Sequence, residues 1–211
     1  MMPALLKFSI MSEALSSVLS FLIGYYALKA YRVTEMKGML YLNICFTLLG
    51  AGMLFRAASS FYILLLAARG SASAAKAALR VASVAYMAAK LAAYIVLAAA
   101  YSRQPKARRA ALPAFVCQPR RLTPLVYNTY LELAAIPVLT YVVAQSLMNL
   151  LYSRSRESML VSAGFTLLLA SHILALLTPL SLVFYMLSTL AQLLAFISLL
   201  AMLALVVKAS D

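Results

Sequence analysis

Long apolar stretches alternate with short polar or basic stretches along the whole chain. Most of the apolar stretches approach or exceed about 20 residues, which is the length that an α-helix needs to cross a bilayer core of about 30 Å. The pattern predicts six membrane-spanning helices, at 3–30, 39–56, 77–101, 124–152, 159–177 and from the break at Thr178-Pro179 to residue 207. The predicted fold class is therefore an all-α integral membrane helical bundle.

Two stretches between these spans need a separate interpretation. The piece SSFYILLLAA at 59–68 is too short to cross a membrane, so it is either a continuation of the second helix or a short interfacial helix. The residues RGSASAA that follow it predict a loop, with Gly70 as a stop. The stretch 102–124 holds six basic residues, four prolines and no acidic residue, which predicts an extramembrane loop.

The two halves of the chain resemble each other when they are offset by 119 positions. The sequence FTLL at 46–49 then falls on FTLL at 165–168, and Glu13 falls on Glu132. Beyond Arg56 the matching offset becomes 99, because the first half carries the surplus stretch 59–75. The matches predict a duplicated unit of three helices.

A unit with three crossings ends on the opposite side of the membrane from its start. The sequence therefore predicts a 3+3 inverted repeat and both termini on one side. The domains are expected at 1–102 for the first three-helix unit, 103–123 for the basic loop and 124–211 for the second unit.

The composition excludes a soluble domain. Hydrophobic residues make up 65% of the chain and charged residues 11%, with a mean hydropathy of +0.96, whereas soluble domains are about half apolar and a quarter charged. The net charge of +13 could suggest nucleic-acid binding. In a membrane chain, however, anionic lipid headgroups are the nearer partner, and no nucleic acid is expected. The residues expected to contact headgroups are Arg103, Lys106, Arg108, Arg109, Arg120 and Arg121.

The basic residues do not orient the chain clearly. On the inverted arrangement, eight Lys and Arg residues fall on the side of the termini and nine on the other side. The dense basic cluster at 103–121 favours placing the other side in the cytoplasm. The expected location is the cell membrane, with multiple passes.

Ionisable side chains inside the predicted spans are the candidates for function, because such groups are costly in hydrocarbon. We expect two polar clusters, one of Glu13 with Arg56 or Arg80 and one of Glu132 with His172, and Lys90 could join either. Functionally these would be protonatable sites; structurally they would be ion pairs that lock helices together. The candidate residues are Glu13, Arg56, Arg80, Lys90, Glu132 and His172.

Enzymatic activity is not expected. The single histidine, His172, cannot provide bis-histidine haem ligation, and no metal-ligand spacing or membrane-embedded aspartate is present. We therefore expect no catalytic residue, no metal and no cofactor.

The run YYALKAYRVTEMKGMLYLNICFTLLGAGMLFR, together with SHILALL and YMLSTLAQLLAFISLL, resembles small polytopic membrane proteins of archaea. This resemblance implies a membrane fold and no particular activity. The leading hypothesis is a non-catalytic subunit or scaffold that packs against other membrane subunits. The alternative is a small ion- or proton-coupled transporter or channel with its site at the repeat interface. A polar cavity containing Glu13 or Glu132 would favour the transporter, and a dry core the scaffold.

Overall fold

The computed structural model describes residues 2–68, 72–102 and 129–209 and confirms the all-α class. In this part of the chain six helices are long and apolar enough to cross a membrane. Large apolar side chains such as Leu151, Leu180 and Val84 are exposed on the surface of the bundle, as expected where lipid is the solvent. The helices are α1 (Met2–Thr34), α2 (Lys37–Ala68), α3 (Ala72–Ser102), α4 (Thr129–Ser153), α5 (Arg156–Leu176) and α6 (Leu182–Lys208).

The structure resolves part of the ambiguity at 59–75. Helix α2 continues without a break through SSFYILLLAA to Ala68, so this piece is a continuation of the second helix. Helix α3 already begins at Ala72, inside the stretch expected to be a loop, because alanine is the strongest helix former and extends the apolar pattern backwards. The expected stop at Gly70 and the expected helix start at Thr123-Pro124 lie outside the described residues.

The helix ends follow from local sequence. Ser155 and Ser181 cap α5 and α6, and their hydroxyl oxygens accept hydrogen bonds from the backbone N–H groups of Ser158 and Val183. Within the described ranges, the non-glycine residues with positive φ are Glu35, in the turn before α2, and Arg154, in the turn before α5. These two residues are 119 positions apart, so the two units share a turn conformation at the offset found in the sequence.

The direction of each helix follows from its contacts with α5. Tyr101 and Tyr94 of α3 stack edge-to-face on Phe165 and His172 of α5, so α3 runs antiparallel to α5. On the other side, Ser162 donates a hydrogen bond to the carbonyl of Ser146, and His172 bonds Glu132. Helix α4 is therefore also antiparallel to α5, which makes α3 and α4 parallel to each other.

This arrangement contradicts the expected inversion. The two three-helix units run in the same direction, so the end of α3 and the start of α4 lie at opposite ends of the bundle. The start of α1 lies beside the start of α6, where the rings of Phe8 and Tyr185 meet at 6.5 Å. Helix α6 therefore ends at the far side, and the expectation that both termini share one side is wrong. We call the side where α1 begins the N-terminal face and the side where α6 ends the C-terminal face.

An approximate twofold axis parallel to the helices relates the two units. The ring pair Phe46–Phe196 joins α2 to α6, and the pair Phe165–Tyr101 joins the corresponding helices α5 and α3. Phe165 follows Phe46 by 119 positions, and Phe196 follows Tyr101 by 95, one helical turn short of the expected 99. The helices close a ring in which α1 contacts α2 and α6, α3 contacts α2 and α4, and α5 contacts α4 and α6.

Small residues bring the helices of each unit close together. A Cβ at Gly164 would lie 2.8 Å from Leu199 Cγ, and one at Gly52 would lie 3.0 Å from Ala89 Cβ. Between α1 and α2, Ser17 Oγ donates a hydrogen bond of 2.8 Å to the Gly50 carbonyl. Close backbone approach with polar cross-links is the usual packing mode of membrane helices, where no hydrophobic effect drives association.

Cysteine labelling tests the parallel arrangement. In a background without Cys45 and Cys117, we expect Met36→Cys and Ser153→Cys to react with a membrane-impermeant maleimide from the same side of sealed vesicles. Leu180→Cys, in the turn between α5 and α6, should react from the opposite side. Labelling of Met36→Cys and Ser153→Cys from opposite sides would instead support the inverted arrangement.

Candidate functional site

Two cavities lie between the units, at different depths. The larger, which we call the vestibule, has a volume of about 850 Å³ at the C-terminal face. Its walls include the apolar side chains of Leu97, Tyr101, Phe165 and Met202. Its polar lining residues belong to the helix ends and include Lys37, Asn149, Glu157 and Ser158.

The smaller cavity, which we call the inner cavity, has a volume of about 70 Å³ and lies closer to the N-terminal face. A cavity of this size accommodates a few water molecules but no organic solute. Residues of all six helices line it, including Ser12, Glu13, Met53, Arg56, Tyr86, Lys90, Glu132, Ala175, Tyr185 and Gln192.

Glu13 is held by α1 and α2. Its Oε1 atom lies 3.1 Å from Arg56 Nε and accepts a hydrogen bond of 3.2 Å from Ser9 Oγ, one turn earlier on α1. The guanidinium carbon of Arg56 lies 4.8 Å from the centroid of the Tyr86 ring, in cation–π geometry. Glu13 and Arg56 therefore form an ion pair, and the Tyr86 ring of α3 stacks on the guanidinium group of that pair.

Glu132 is held from two sides. Lys90 Nζ of α3 donates a hydrogen bond of 3.2 Å to Glu132 Oε1, and His172 Nδ1 of α5 bonds the other carboxylate oxygen, Oε2. All three side chains are buried. Burying an ionised group in a low-dielectric interior is tolerated when it is paired and hydrogen-bonded, and Glu132 meets both conditions.

The two hydrogen-bond partners of His172 favour one of its neutral tautomers. The Tyr94 hydroxyl lies 2.6 Å from His172 Nε2, and the Glu132 carboxylate faces Nδ1. A neutral imidazole with its proton on Nδ1 satisfies both partners, because Nδ1–H donates to the carboxylate and Nε2 accepts from the tyrosine hydroxyl. The arrangement Tyr94–His172–Glu132–Lys90 is thus a continuous hydrogen-bonded chain.

Tyr86 connects the two glutamates into one network. Its ring contacts Arg56 at 4.8 Å and Lys90 at 5.5 Å, measured to the ring centroid. The expected pairings of Glu13 with Arg56 and of Glu132 with His172 are both present, and Lys90 joins Glu132. The two clusters line one cavity instead of lying near opposite sides of the membrane. The helices run in an order that places Glu13 and Glu132 at similar depth around one cavity, so Lys90 and Arg56 stand between them.

The network is balanced in charge. Glu13 and Glu132 carry two negative charges when ionised, and Arg56 and Lys90 carry two positive charges. With a neutral His172 the sum is zero, which is the arrangement that a low-dielectric interior favours. Adding or removing one proton would leave a net charge in this buried network, which low-dielectric surroundings disfavour.

Several expected residues lie beyond the structural description. Arg80 falls within α3, but its side chain is outside the described part of the chain. The same applies to the residues expected to contact lipid headgroups, which are Arg103, Lys106, Arg108, Arg109, Arg120 and Arg121. Their roles remain predictions.

Sequence reasoning missed the tyrosines of the site. Tyrosine is enriched at the interfaces of membrane proteins, so its residue type alone does not indicate a buried site. Tyr86 and Tyr94 stand one helical turn before and after Lys90, so they share its face of α3. Two tyrosines at this spacing around a lysine in the middle of a span are the signal that could have identified them.

Neither a metal-ligand group nor a match to a known protein identifies the site. In the described ranges, no three His, Cys, Asp or Glu side chains come together as metal ligands. A comparison with protein families, characterised proteins and solved structures finds no match for this chain.

Proposed function

We propose that the protein is a small proton-coupled transporter of the cell membrane. One observation carries this proposal: Glu13 and Glu132, with their cationic partners, line a single polar cavity between two parallel three-helix units. The transporter hypothesis expects a polar cavity that contains Glu13 or Glu132, and the inner cavity supports it in that respect. Buried ionisable groups in a membrane span are expensive, and they commonly mark a pathway for protons or ions.

The two cavities differ in volume and so fit different transported species. The vestibule, at about 850 Å³, has the size of cavities that hold small organic molecules. The inner cavity, at about 70 Å³, has room for water and protons. We infer that a small solute occupies the vestibule and that the inner cavity carries the coupled proton.

Glu132 is the preferred proton-carrying group. Its carboxylate accepts hydrogen bonds from Lys90 and from His172, which stabilise the ionised form. Protonation removes the negative charge that holds Lys90 and so weakens a contact between α3 and α4. Coupling follows if the two units change their relative positions when this contact weakens.

The basic residues indicate an orientation once the helix directions are known. Six lie at the helix ends of the C-terminal face: Lys29, Arg32, Lys37, Arg154, Arg156 and Lys208. Among described helix positions near the N-terminal face there are three, Lys7, Lys76 and Arg80. Basic residues favour the cytoplasmic side, so we propose that the vestibule faces the cytoplasm.

The scaffold hypothesis predicted a dry core, and two cavities between the units do not favour it. It also makes a different prediction for transport, because a scaffold moves no proton. Contacts with anionic lipids and with other membrane subunits stay predictions on either hypothesis.

Proton uptake by reconstituted protein tests the proposal. Vesicles that contain the protein and a trapped pH-sensitive dye should acidify when a potassium gradient with valinomycin makes the interior negative. Protein-free vesicles supply the background, and Glu35→Gln is the matched control, since Glu35 is an exposed glutamate in a turn. Wild-type uptake at the background rate would contradict proton transport and favour the scaffold.

A further inference from the structure

A thin layer of buried side chains separates the vestibule from the inner cavity. We call it the barrier, and it consists of Phe46 and Leu49 on α2, Tyr94 on α3, His172 on α5 and Phe196 on α6. On each of these helices, the barrier residues lie between a residue that lines the vestibule and one that lines the inner cavity. On α3, for example, Leu97 lines the vestibule, Tyr94 belongs to the barrier and Lys90 lines the inner cavity.

The barrier has an apolar part and a polar part. Phe46 packs edge-to-face on Phe196 with ring centroids 5.7 Å apart, and Leu49 is fully buried beside them. Tyr94 and His172 likewise meet edge-to-face at 5.4 Å, but they also share the 2.6 Å hydrogen bond. The hydrogen-bonded pair is therefore the polar part of a layer whose other members, among these five residues, are hydrocarbon side chains.

We propose that Tyr94 and His172 form the route by which protons pass between the vestibule and Glu132. This inference rests on the proposed function and names the path by which protons from the vestibule reach Glu132. The Tyr94 oxygen is at one end of the hydrogen-bonded chain, and the carboxylate of Glu132, which lines the inner cavity, is at the other. Tyr94 itself lines neither cavity, and Leu97, one turn further along α3, lines the vestibule. No other atoms need to intervene between these ends, because each neighbouring pair is already hydrogen-bonded.

The transfer balances as follows. A hydronium ion at the vestibule side gives a proton to the Tyr94 oxygen while the original hydroxyl proton moves to His172 Nε2. The transient imidazolium then releases its Nδ1 proton to Glu132 Oε2. The products are water, a neutral Tyr94, a neutral imidazole protonated at Nε2 and a neutral Glu132.

The reverse sequence returns the proton and restores the first tautomer. Release of the proton from Glu132 towards the N-terminal face leaves the imidazole protonated at Nε2. A proton must therefore leave Nε2 and another must bind Nδ1 before the next transfer can begin. The groups that face His172 and influence this exchange are Lys90 and Tyr94 from α3 and Glu132 from α4. Cys45 of α2 lies near Tyr94.

A single-site NMR measurement tests the starting geometry. The chain contains one histidine, so histidine labelled with an NMR-active nitrogen isotope reports His172 alone when purification uses a tag without histidine. We expect a neutral imidazole with the proton on Nδ1, the less common tautomer of free histidine. A proton on Nε2 in the resting protein would overturn the proposed route, since Tyr94 would then have no acceptor there.

The variant Tyr94→Phe tests the transfer itself. It removes one oxygen and keeps the ring that packs on His172, so we expect proton uptake to fall by about 10- to 100-fold. The Nε2 signal should move as its hydrogen bond is lost. Tyr141→Phe is the matched control, because Tyr141 is buried on α4 and lines neither cavity; its uptake should equal that of the wild type.

The outcomes separate the two proposals. Unchanged uptake in Tyr94→Phe, with uptake abolished in Glu132→Gln, would overturn the route and leave proton coupling in place. Wild-type uptake at background would overturn proton coupling and, with it, the route. Reduced uptake in Tyr94→Phe together with the expected tautomer supports both.

Discussion

Replacing Glu132 with glutamine is expected to reduce potential-driven proton uptake by about 100-fold or more, towards the rate of protein-free vesicles. The amide has nearly the shape of the carboxyl group and can still accept a hydrogen bond from Lys90. It cannot take up a proton in the range in which a carboxylate does. The substitution therefore removes the chemistry and retains most of the packing.

Two comparisons make this result interpretable. Glu35→Gln has the same chemical change at an exposed position and should transport like the wild type. Glu13→Gln is also expected to abolish coupled uptake, because Glu13 lines the same cavity. Wild-type uptake by a folded Glu132→Gln variant would contradict the assignment of Glu132 as the proton-carrying group.

The second large effect is expected on stability. Replacing Lys90 with methionine should lower the free energy of unfolding by about 3–5 kcal/mol, because Glu132 keeps its charge in a buried site and loses its cation. Methionine keeps much of the aliphatic length, so the loss arises mainly from charge. Unfolding in detergent, followed by helical circular dichroism, measures the difference.

The double variant Lys90→Met with Glu132→Gln distinguishes charge from packing. It removes both charges, so it should recover most of the stability that Lys90→Met loses. Lys208→Met is the control, since Lys208 is exposed at the end of α6. A double variant as unstable as Lys90→Met alone would show that packing, rather than the unpaired carboxylate, accounts for the loss.

The fold class could be predicted from the sequence because hydrocarbon imposes a simple rule on length. A run of apolar residues that crosses the bilayer must form a helix, and hydropathy therefore locates each span. Hydropathy contains no information on direction. The inversion was expected because each connection between consecutive helices was assumed to begin and end on the same side of the membrane. The end of α3 and the start of α4 lie at opposite faces, so this assumption fails there.

The candidate site could be predicted in part. Glu13, Glu132 and His172 stand out because ionisable residues are rare in spans, and the same reasoning identified Lys90 and Arg56. Which cation meets which acid depends on the rotation and direction of the helices, so Lys90 could not be assigned to Glu132. The role of Tyr94 could not be predicted, because tyrosine occurs both at membrane interfaces and in buried sites. Its position along the helix distinguishes the two only after the helix ends are known.

The approximate twofold relation between the units does not extend to the ion pairs of Glu13 and Glu132. Glu13 has its cation, Arg56, within its own unit, whereas Glu132 takes Lys90 from the other unit. A rocking motion of one half against the other would stretch the second pair and leave the first intact. Two glutamates at equivalent positions would thus act as an anchor and a displacement sensor. The position of Lys90 on the opposite unit would therefore make the two glutamates respond unequally to the same motion.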